Sequence, residues 1–165
     1  RAEPENSLLE IVEGFSRKPR GMKLAVLGKY EDSNAYHQAV KAAAGNEVMF
    51  LGAIYDKKVV QALRFHSAAY VHGHQVGGTN PSLVEALGAG NAVIAHDNRF
   101  NRWVAGPGAA FFDGAAGFAT QIDAILADPT RLDSMRKASR ERFLAEFQWE
   151  KLLSEYETLL LKYQK

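Results

Sequence analysis

A glycine-rich loop followed by a capped helix carries the clearest chemical signal in the sequence. The loop spans residues 72–78, Asn80 is placed as a helix N-cap, and Pro81 takes the first helical position, where a missing N–H costs nothing. A helix over residues 82–89 would point its free backbone N–H groups and the positive end of its dipole at the loop. This arrangement predicts a site for an anion such as a phosphate.

Glycines and hydroxyls in the same stretch supply donors for that anion. Gly77 and Gly78 allow a close approach because no Cβ stands in the way, and their backbone N–H groups, with that of Thr79, could hold a phosphate. The side chains of Thr79 and Ser82 add two hydroxyl donors. The same pattern is equally typical of a tight loop with a good N-cap and no ligand, so both interpretations stay open.

Several other side chains could contact a ligand bound at this loop. Glu85 lies one turn into the helix, and its carboxylate could accept hydrogen bonds from two adjacent hydroxyls such as those of a ribose; a solvated helix residue is the alternative. His74 could donate to a substrate oxygen, whereas His72 is expected to be structural. No third metal ligand lies near these histidines in the sequence, so no metal site is predicted. Arg1 is either a forked phosphate donor or a surface residue.

Composition and absent motifs exclude several classes of function. The 165 residues include no cysteine, which excludes disulfides, thiolate metal sites and cysteine nucleophiles. With 20 basic and 19 acidic residues the net charge is +1, so no broad positive field is available to bind nucleic acid. No Walker loop, Gly-x-Gly-x-x-Gly fingerprint or Gly-x-Ser-x-Gly elbow occurs. No apolar run reaches the roughly 20 residues that span a bilayer, although peripheral membrane attachment is compatible with the sequence.

The elements that must position these residues alternate between helix and strand. Apolar spacing and turn residues predict strands over residues 23–27, 47–51, 68–71, 92–95 and 109–112. They predict helices over residues 5–17, 33–44, 57–65, 82–89, 115–126, 131–147 and 149–163, with Ser33, Asp56 and Asp128 as caps. Residues 97–103 read as a polar connection. Short connections favour right-handed crossovers, so the sequence predicts an α/β fold with a doubly wound parallel sheet and C-terminal helices.

The two ends of the chain raise separate expectations. The last helix carries an apolar stripe with a period near 3.6 residues, formed by Leu152, Leu153, Tyr156, Leu159, Leu160 and Tyr163. We expect this stripe to pack on the domain itself or on a neighbour. At the other end, a doubly wound fold would place a strand before Arg1, so we expect the chain to be a fragment of a longer protein that forms one domain over residues 1–165.

Taken together, these motifs resemble the C-terminal, nucleotide-sugar-binding domain of GT-B glycosyltransferases of the family 4 type, close to bacterial rhamnosyltransferase-like members. The resemblance covers nearly the whole chain. It is carried by the run that starts at Arg1, the strand over residues 23–28, the VMFLG segment at 48–52, the loop and helix from Gly77 to Glu85, and the Phe147-x-Trp149 pair. It implies a Rossmann-like half of a GT-B fold, with residues 148–165 as a closing helix that crosses back to an N-terminal domain.

The resemblance also implies roles for individual residues. Glu85 matches the second glutamate of an E-x7-E motif, which holds the donor ribose hydroxyls, and Arg1 matches an arginine that neutralises the diphosphate. Ile54 falls where main chain meets the base. Backbone amides that bind the diphosphate are implied at Thr79, Asn80, Pro81 and Ser82.

Two positions depart from the family pattern. The first glutamate of the motif is replaced by Gly77, so a carboxylate near the sugar is absent or supplied by another residue. The lysine that follows the arginine is also missing, with Glu5 and Asn6 in its neighbourhood. Loss of a cation beside a diphosphate weakens binding by about 1–3 kcal/mol unless another group replaces it.

The function that the resemblance implies is donor binding in a retaining glycosyltransferase that needs no metal or other cofactor. UDP- or dTDP-sugars are favoured over GDP-sugars as donors. The acceptor, a glycan or a lipid-linked sugar in polysaccharide biosynthesis, would bind mainly to an N-terminal domain that this chain lacks, so the chain alone is expected to bind nucleotide without transferring sugar. A cytoplasmic location is implied, including the inner face of the membrane. A nucleotide-sugar epimerase and a degenerate, non-catalytic interaction domain stay open as alternatives.

Overall fold

Strands and helices alternate along the chain as far as residue 126. The computed structural model describes residues 2–163. A 3-10 helix, Pro4–Asn6, precedes the first α-helix. The strands are β1 (Leu24–Leu27), β2 (Val48–Gly52), β3 (Ala69–His72), β4 (Ala92–His96) and β5 (Ala110–Phe112). The α-helices are α1 (Leu8–Ser16), α2 (Ala35–Ala42), α3 (Lys57–His66), α4 (Pro81–Gly88), α5 (Arg99–Ala105), α6 (Gly114–Leu126), α7 (Pro129–Glu146) and α8 (Trp149–Leu161).

Every strand pair in the described residues is parallel, which confirms the predicted α/β class. Strands β1 and β2 form a two-stranded sheet in which Leu24 pairs with Val48, and β3, β4 and β5 form a three-stranded sheet with β4 in the middle. The hydrogen bonds therefore define two sheets, whereas the sequence predicted one. The apolar core still joins them, because Leu24 and Val48 pack against the same cluster as Ala69 of β3.

Strand β4 lies at the centre of the domain and is covered on both faces. Its successive side chains point to opposite sides. Ala92 and Ile94 pack in a cluster with residues of α1 and α6, whereas Val93 and Ala95 pack in a second cluster with residues of α4 and α5. All four side chains are buried. Helices on both faces of a parallel sheet are the doubly wound arrangement that the alternating pattern predicted.

The predicted helix over residues 5–17 is interrupted at Ser7, which is a correction to the sequence analysis. Ser7 is buried and has a left-handed backbone with φ 50°. Its hydroxyl accepts a hydrogen bond from Nε2 of Gln75 at 2.9 Å, and the backbone N–H of Gln75 donates to the carbonyl of Glu5 at 2.8 Å. A contact with the glycine-rich loop thus replaces one turn of the helix, and no local pattern could have indicated it.

Two further local expectations were wrong. Residues 97–103 do not form a polar connection: helix α5 begins after Asn98, whose Oδ1 accepts from the backbone N–H groups of Phe100 and Asn101. The sequence did not predict this helix because only its last turn, with Val104 and Ala105, is both apolar and buried. The cap of α2 is Asn34 rather than Ser33, since Oδ1 of Asn34 accepts from two backbone N–H groups of the first turn.

Helix α8 follows the core without burying a side chain. Its apolar residues include Leu153, Tyr156 and Leu160, and all three are exposed. The expectation that this stripe packs on the same domain is therefore not met in residues 2–163, and packing on a neighbour stays a prediction. Over the same range, no helix combines the length and the apolar character required to traverse a bilayer.

Candidate functional site

The predicted cap at the start of α4 is confirmed. Oδ1 of Asn80 accepts hydrogen bonds from the backbone N–H of Ser82 at 3.0 Å and from its hydroxyl at 2.8 Å, and Pro81 fills the first helical position. In the preceding loop Gly77 has φ 107°, a conformation that a side chain would strain. Gly77, Gly78 and Thr79 are all exposed, so the N-terminus of α4 opens onto solvent.

A cleft of about 430 Å³ lies against this end of α4. It brings together three of the predicted site residues, His74, Asn80 and Ser82. The structure adds the 3-10 helix and the residue before it: Glu3, Glu5 and Asn6 line the cleft, and the sequence did not predict them as ligand contacts. The remaining lining comes from β3, α1 and the loop: Leu8, Ile11, Tyr70, Val71, His72 and Gly73. We call this the smaller cleft.

The 3-10 helix (Pro4–Asn6) contacts the glycine-rich loop closely. Nδ1 of His74 lies 2.6 Å from Oδ1 of Asn6, and because that oxygen can only accept, Nδ1 carries the hydrogen. A Cβ at Gly73 would lie 2.0 Å from the carbonyl oxygen of Asn6, so only glycine fits this approach. On the opposite side, the side chains of Asn98 and Asn101 donate to the carbonyl of His74 at 3.0 and 2.8 Å. The loop is therefore held from two directions.

His74 also occupies the region next to Gly77. A Cβ at Gly77 would lie 3.5 Å from Nε2 of His74. Since Nδ1 is bound to Asn6, Nε2 is the nitrogen of His74 that faces the position where the sequence resemblance expects a glutamate. The imidazole of His74 therefore lies next to Gly77, the position at which the resemblance expects a carboxylate.

A larger cleft of about 850 Å³ runs between α3, α4 and α7. Glu85 lines it, together with Tyr55, the exposed residue that follows Ile54. Nη1 of Arg64 lies 2.5 Å from Oε2 of Glu85. The predicted site residues are therefore divided: α4 presents Ser82 to the smaller cleft and Glu85 to the larger one. Arg1, the predicted phosphate partner, lies outside the described residues.

Tyr70 and Arg64, which were not predicted as site residues, interact between the two clefts: Tyr70 lines the smaller cleft and Arg64 lines the larger one. The hydroxyl of Tyr70 donates to Oγ of Ser82 at 3.1 Å. Burial raises the pKa of this phenol, while Ser82 and Arg64 oppose the shift. Tyr70 and His72 are two residues apart on β3, and this spacing indicates that their side chains lie on the same face of the strand. Arg64 offered no comparable signal, because a basic residue in the last turn of a helix has many roles.

Metal ligands do not converge in the region from residue 2 to residue 163. No group of three histidine, aspartate or glutamate side chains in this range is arranged to hold a metal ion. The polar side chains that line the two clefts instead carry hydroxyls, amides, imidazoles, carboxylates, guanidinium groups and the ammonium group of Lys57. Such a set recognises hydroxyls and anions by hydrogen bonding.

Comparison with known proteins places this geometry in a family context. The sequence profile described as Glycosyl transferases group 1 matches residues 2–142. No curated protein sequence matches the chain.

Solved structures share the fold at low sequence identity. Sucrose-phosphate synthase from Thermosynechococcus elongatus superposes with a TM-score of 0.83 at 21% identity, over 98% of this chain and 43% of that one. Anabaena HepE in complex with UDP gives 0.84 at 15% identity, over 98% and 47% of the respective chains. The C-terminal domain of a group 1 family glycosyl transferase (LpcC) from Francisella tularensis gives 0.74 at 16% identity, over 89% and 82%. This chain spans less than half the length of the first two proteins.

Proposed function

Because the chain belongs to the group 1 glycosyl transferases, we propose that it is the donor-binding domain of a retaining glycosyltransferase that uses a nucleoside-diphosphate sugar. The single observation that carries the proposal is the position of α4 between two clefts. Ser82 of this helix lines the smaller cleft and Glu85 lines the larger one. A ligand that crosses the N-terminus of α4 would reach both clefts. A nucleotide sugar fits this layout, because its diphosphate lies between a nucleoside at one end and a sugar at the other.

The nucleoside end is assigned to the larger cleft. The carboxylate of Glu85 has lone pairs left beside its contact with Arg64, so it can accept from ribose hydroxyls. Main chain at Ile54 meets the base in this arrangement, and the exposed ring of its neighbour Tyr55 already lines the cleft.

The diphosphate is assigned to the N-terminus of α4. The backbone N–H groups around Gly78 and Thr79 and the positive end of the helix dipole favour a negative charge there. Arg1 would add a forked cation. When the bond between the anomeric carbon and the diphosphate oxygen breaks, negative charge grows on that oxygen, and fixed donors stabilise it most at that moment.

The sugar is assigned to the smaller cleft. Nε2 of His74 stands beside Gly77, where the family pattern has a carboxylate, so we propose that His74 contacts the sugar in place of that glutamate. The acceptor, a glycan or a lipid-linked sugar, would bind mainly to an N-terminal domain. The chain alone is therefore expected to bind nucleotide and to transfer no sugar.

Calorimetric titration of the chain with UDP, dTDP and GDP tests the proposal. UDP is the first choice, since the Anabaena neighbour was solved with UDP bound. We expect heat of binding with UDP or dTDP and a weaker response with GDP. Absence of binding for all three nucleotides would overturn the proposal.

A non-catalytic interaction domain is the second candidate, and two observations favour it. Gly77 replaces a carboxylate of the family pattern, and the apolar side chains of α8 are exposed. In that case the chain would ignore nucleotides and would associate through α8. Light scattering beside the calorimetry separates the two candidates.

A further inference from the structure

Two aromatic side chains of β3 and one of the following loop form a row along the smaller cleft. The rings of Tyr70 and His72 are stacked with centroids 6.1 Å apart, and the ring of His74 lies 6.1 Å beyond His72. The outer members of the row have hydrogen-bond partners: the hydroxyl of Tyr70 donates to Ser82, and Nδ1 of His74 donates to Asn6. The middle member differs from both.

His72 is only 4% exposed, and its Nε2 has no hydrogen-bond partner in the structure. Buried polar atoms are nearly always paired, so an orphaned imidazole nitrogen requires an explanation. His72 lines the smaller cleft, so a ligand bound there could supply the partner. The terminal torsion of a histidine side chain is soft, so the ring can rotate to meet a ligand in the cleft.

The protonation state of His72 narrows the choice of partner. Burial, and to a smaller extent the nearby His74, lower the pKa of His72 to about 4. At neutral pH the ring is therefore uncharged and offers one N–H donor and one lone pair. A sugar hydroxyl, which both donates and accepts, matches this ring in either tautomer. A phosphate gains much less from an uncharged ring than from a cation.

The charges around His72 favour the same partner. Glu3 and Glu5 line the cleft on the side of the 3-10 helix, and Asn80 lines it on the side of α4. Carboxylates accept hydrogen bonds from hydroxyls and repel phosphates. These residue types favour a ligand group that carries hydroxyls over a phosphate in the part of the smaller cleft next to Glu3 and Glu5.

We propose that Nε2 of His72 hydrogen-bonds a hydroxyl of the donor sugar and makes His72 a specificity-determining residue of this domain. This inference rests on the proposed function, because it takes the ligand to be a nucleoside-diphosphate sugar. It concerns only the sugar end of that ligand. The contacts to base, ribose and diphosphate do not depend on it.

The test compares affinities for a bare nucleoside diphosphate and for its sugar esters. Calorimetry first establishes whether UDP, dTDP or GDP binds, and then measures the glucose, galactose, mannose and rhamnose esters of the nucleotide that binds. We expect the best ester to bind wild type more tightly than the bare diphosphate. His72→Phe keeps the ring and removes both nitrogens, so it should lose about fivefold to tenfold in affinity for that ester and leave the bare diphosphate unchanged.

His96→Phe is the matched control. His96 ends β4, its Nδ1 is also buried without a partner, and it does not line the smaller cleft. We expect this variant to bind ester and diphosphate as wild type does, and His72→Gln to recover part of the ester affinity. Retention of the full preference for the ester in His72→Phe, or equal loss for ester and diphosphate, would overturn the inference alone. Absence of any nucleotide binding by wild type would instead overturn the proposed function.

Discussion

Arg64 on α3 and Glu85 on α4 form an ion pair across the larger cleft, with 2.5 Å between Nη1 and Oε2. The arginine side chain is 16% exposed and the glutamate side chain 57% exposed. An ion pair this open to solvent contributes only roughly 0–1 kcal/mol to stability. The main effect of the ion pair is on position, because the less exposed guanidinium of Arg64 holds the carboxylate of Glu85 at the cleft, where a ribose could reach it.

Glu85→Ala should therefore affect binding more than folding. We expect the affinity for the nucleotide to fall by roughly tenfold to a hundredfold, since hydrogen bonds to a charged group are lost. Isothermal titration with UDP measures the change. Glu13→Ala removes an exposed carboxylate of α1 that lines neither cleft and should bind as wild type does. Equal affinities of the two variants would remove Glu85 from the ribose role.

Gly73→Ala should destabilise the domain because its methyl group has no room. The added Cβ would lie 2.0 Å from the carbonyl oxygen of Asn6 and 2.8 Å from Cδ1 of Ile11. The 3-10 helix must then move off the loop, at a cost of about 1–3 kcal/mol. Gly78→Ala is the control, since nothing lies within 4 Å of its added Cβ, and it should stay within about 0.5 kcal/mol of wild type. Thermal unfolding at equal temperatures for both variants would contradict the prediction.

His37 connects α2 to the segment that leads into the smaller cleft. The backbone N–H of Glu31 donates to Nδ1 at 2.9 Å, so Nε2 carries the hydrogen and donates to the carbonyl of Ala2 at 2.8 Å. His37→Ala leaves both backbone groups without a partner and should lower the free energy of unfolding by about 2–3 kcal/mol. Urea denaturation provides the measurement. The exposed His66 is the comparison, and a loss as large in His66→Ala would show that the hydrogen bonds of His37 are not responsible.

Several features set by neighbouring residues were predictable from the sequence, although helix α5 and the cap of α2 were missed. Features set by distant contacts were not predictable. Asn80 and Asp128 cap their helices as predicted, because an N-cap needs only a short polar side chain and the next few N–H groups. Ser7 breaks the first helix through a hydrogen bond with Gln75, which is 68 residues away in the sequence. No helical pattern carries that information.

The candidate site follows the same division. The start of α4 was apparent in the sequence, whereas the pairing of Glu85 with Arg64 depends on how α3 packs beside α4. The position of Nε2 of His74 beside Gly77 depends on the contact with Asn6 from the other end of the chain. The sequence could show that a carboxylate is missing at Gly77, and only the fold brings an imidazole to it.

The lowered pKa of His72 predicts a specific dependence of stability on pH. Burial shifts this pKa from 6.5 to about 4, so between these values the unfolded chain binds a proton that the folded chain does not. Stability is unaffected by His72 above pH 6.5 and falls as the pH drops toward 4, by up to about 3 kcal/mol. The loss of unfolding free energy between pH 7 and pH 4.5, measured by urea denaturation, should be smaller in His72→Phe than in wild type. Because other groups titrate identically in both proteins, equal losses would mean that the folded state accommodates a charged His72.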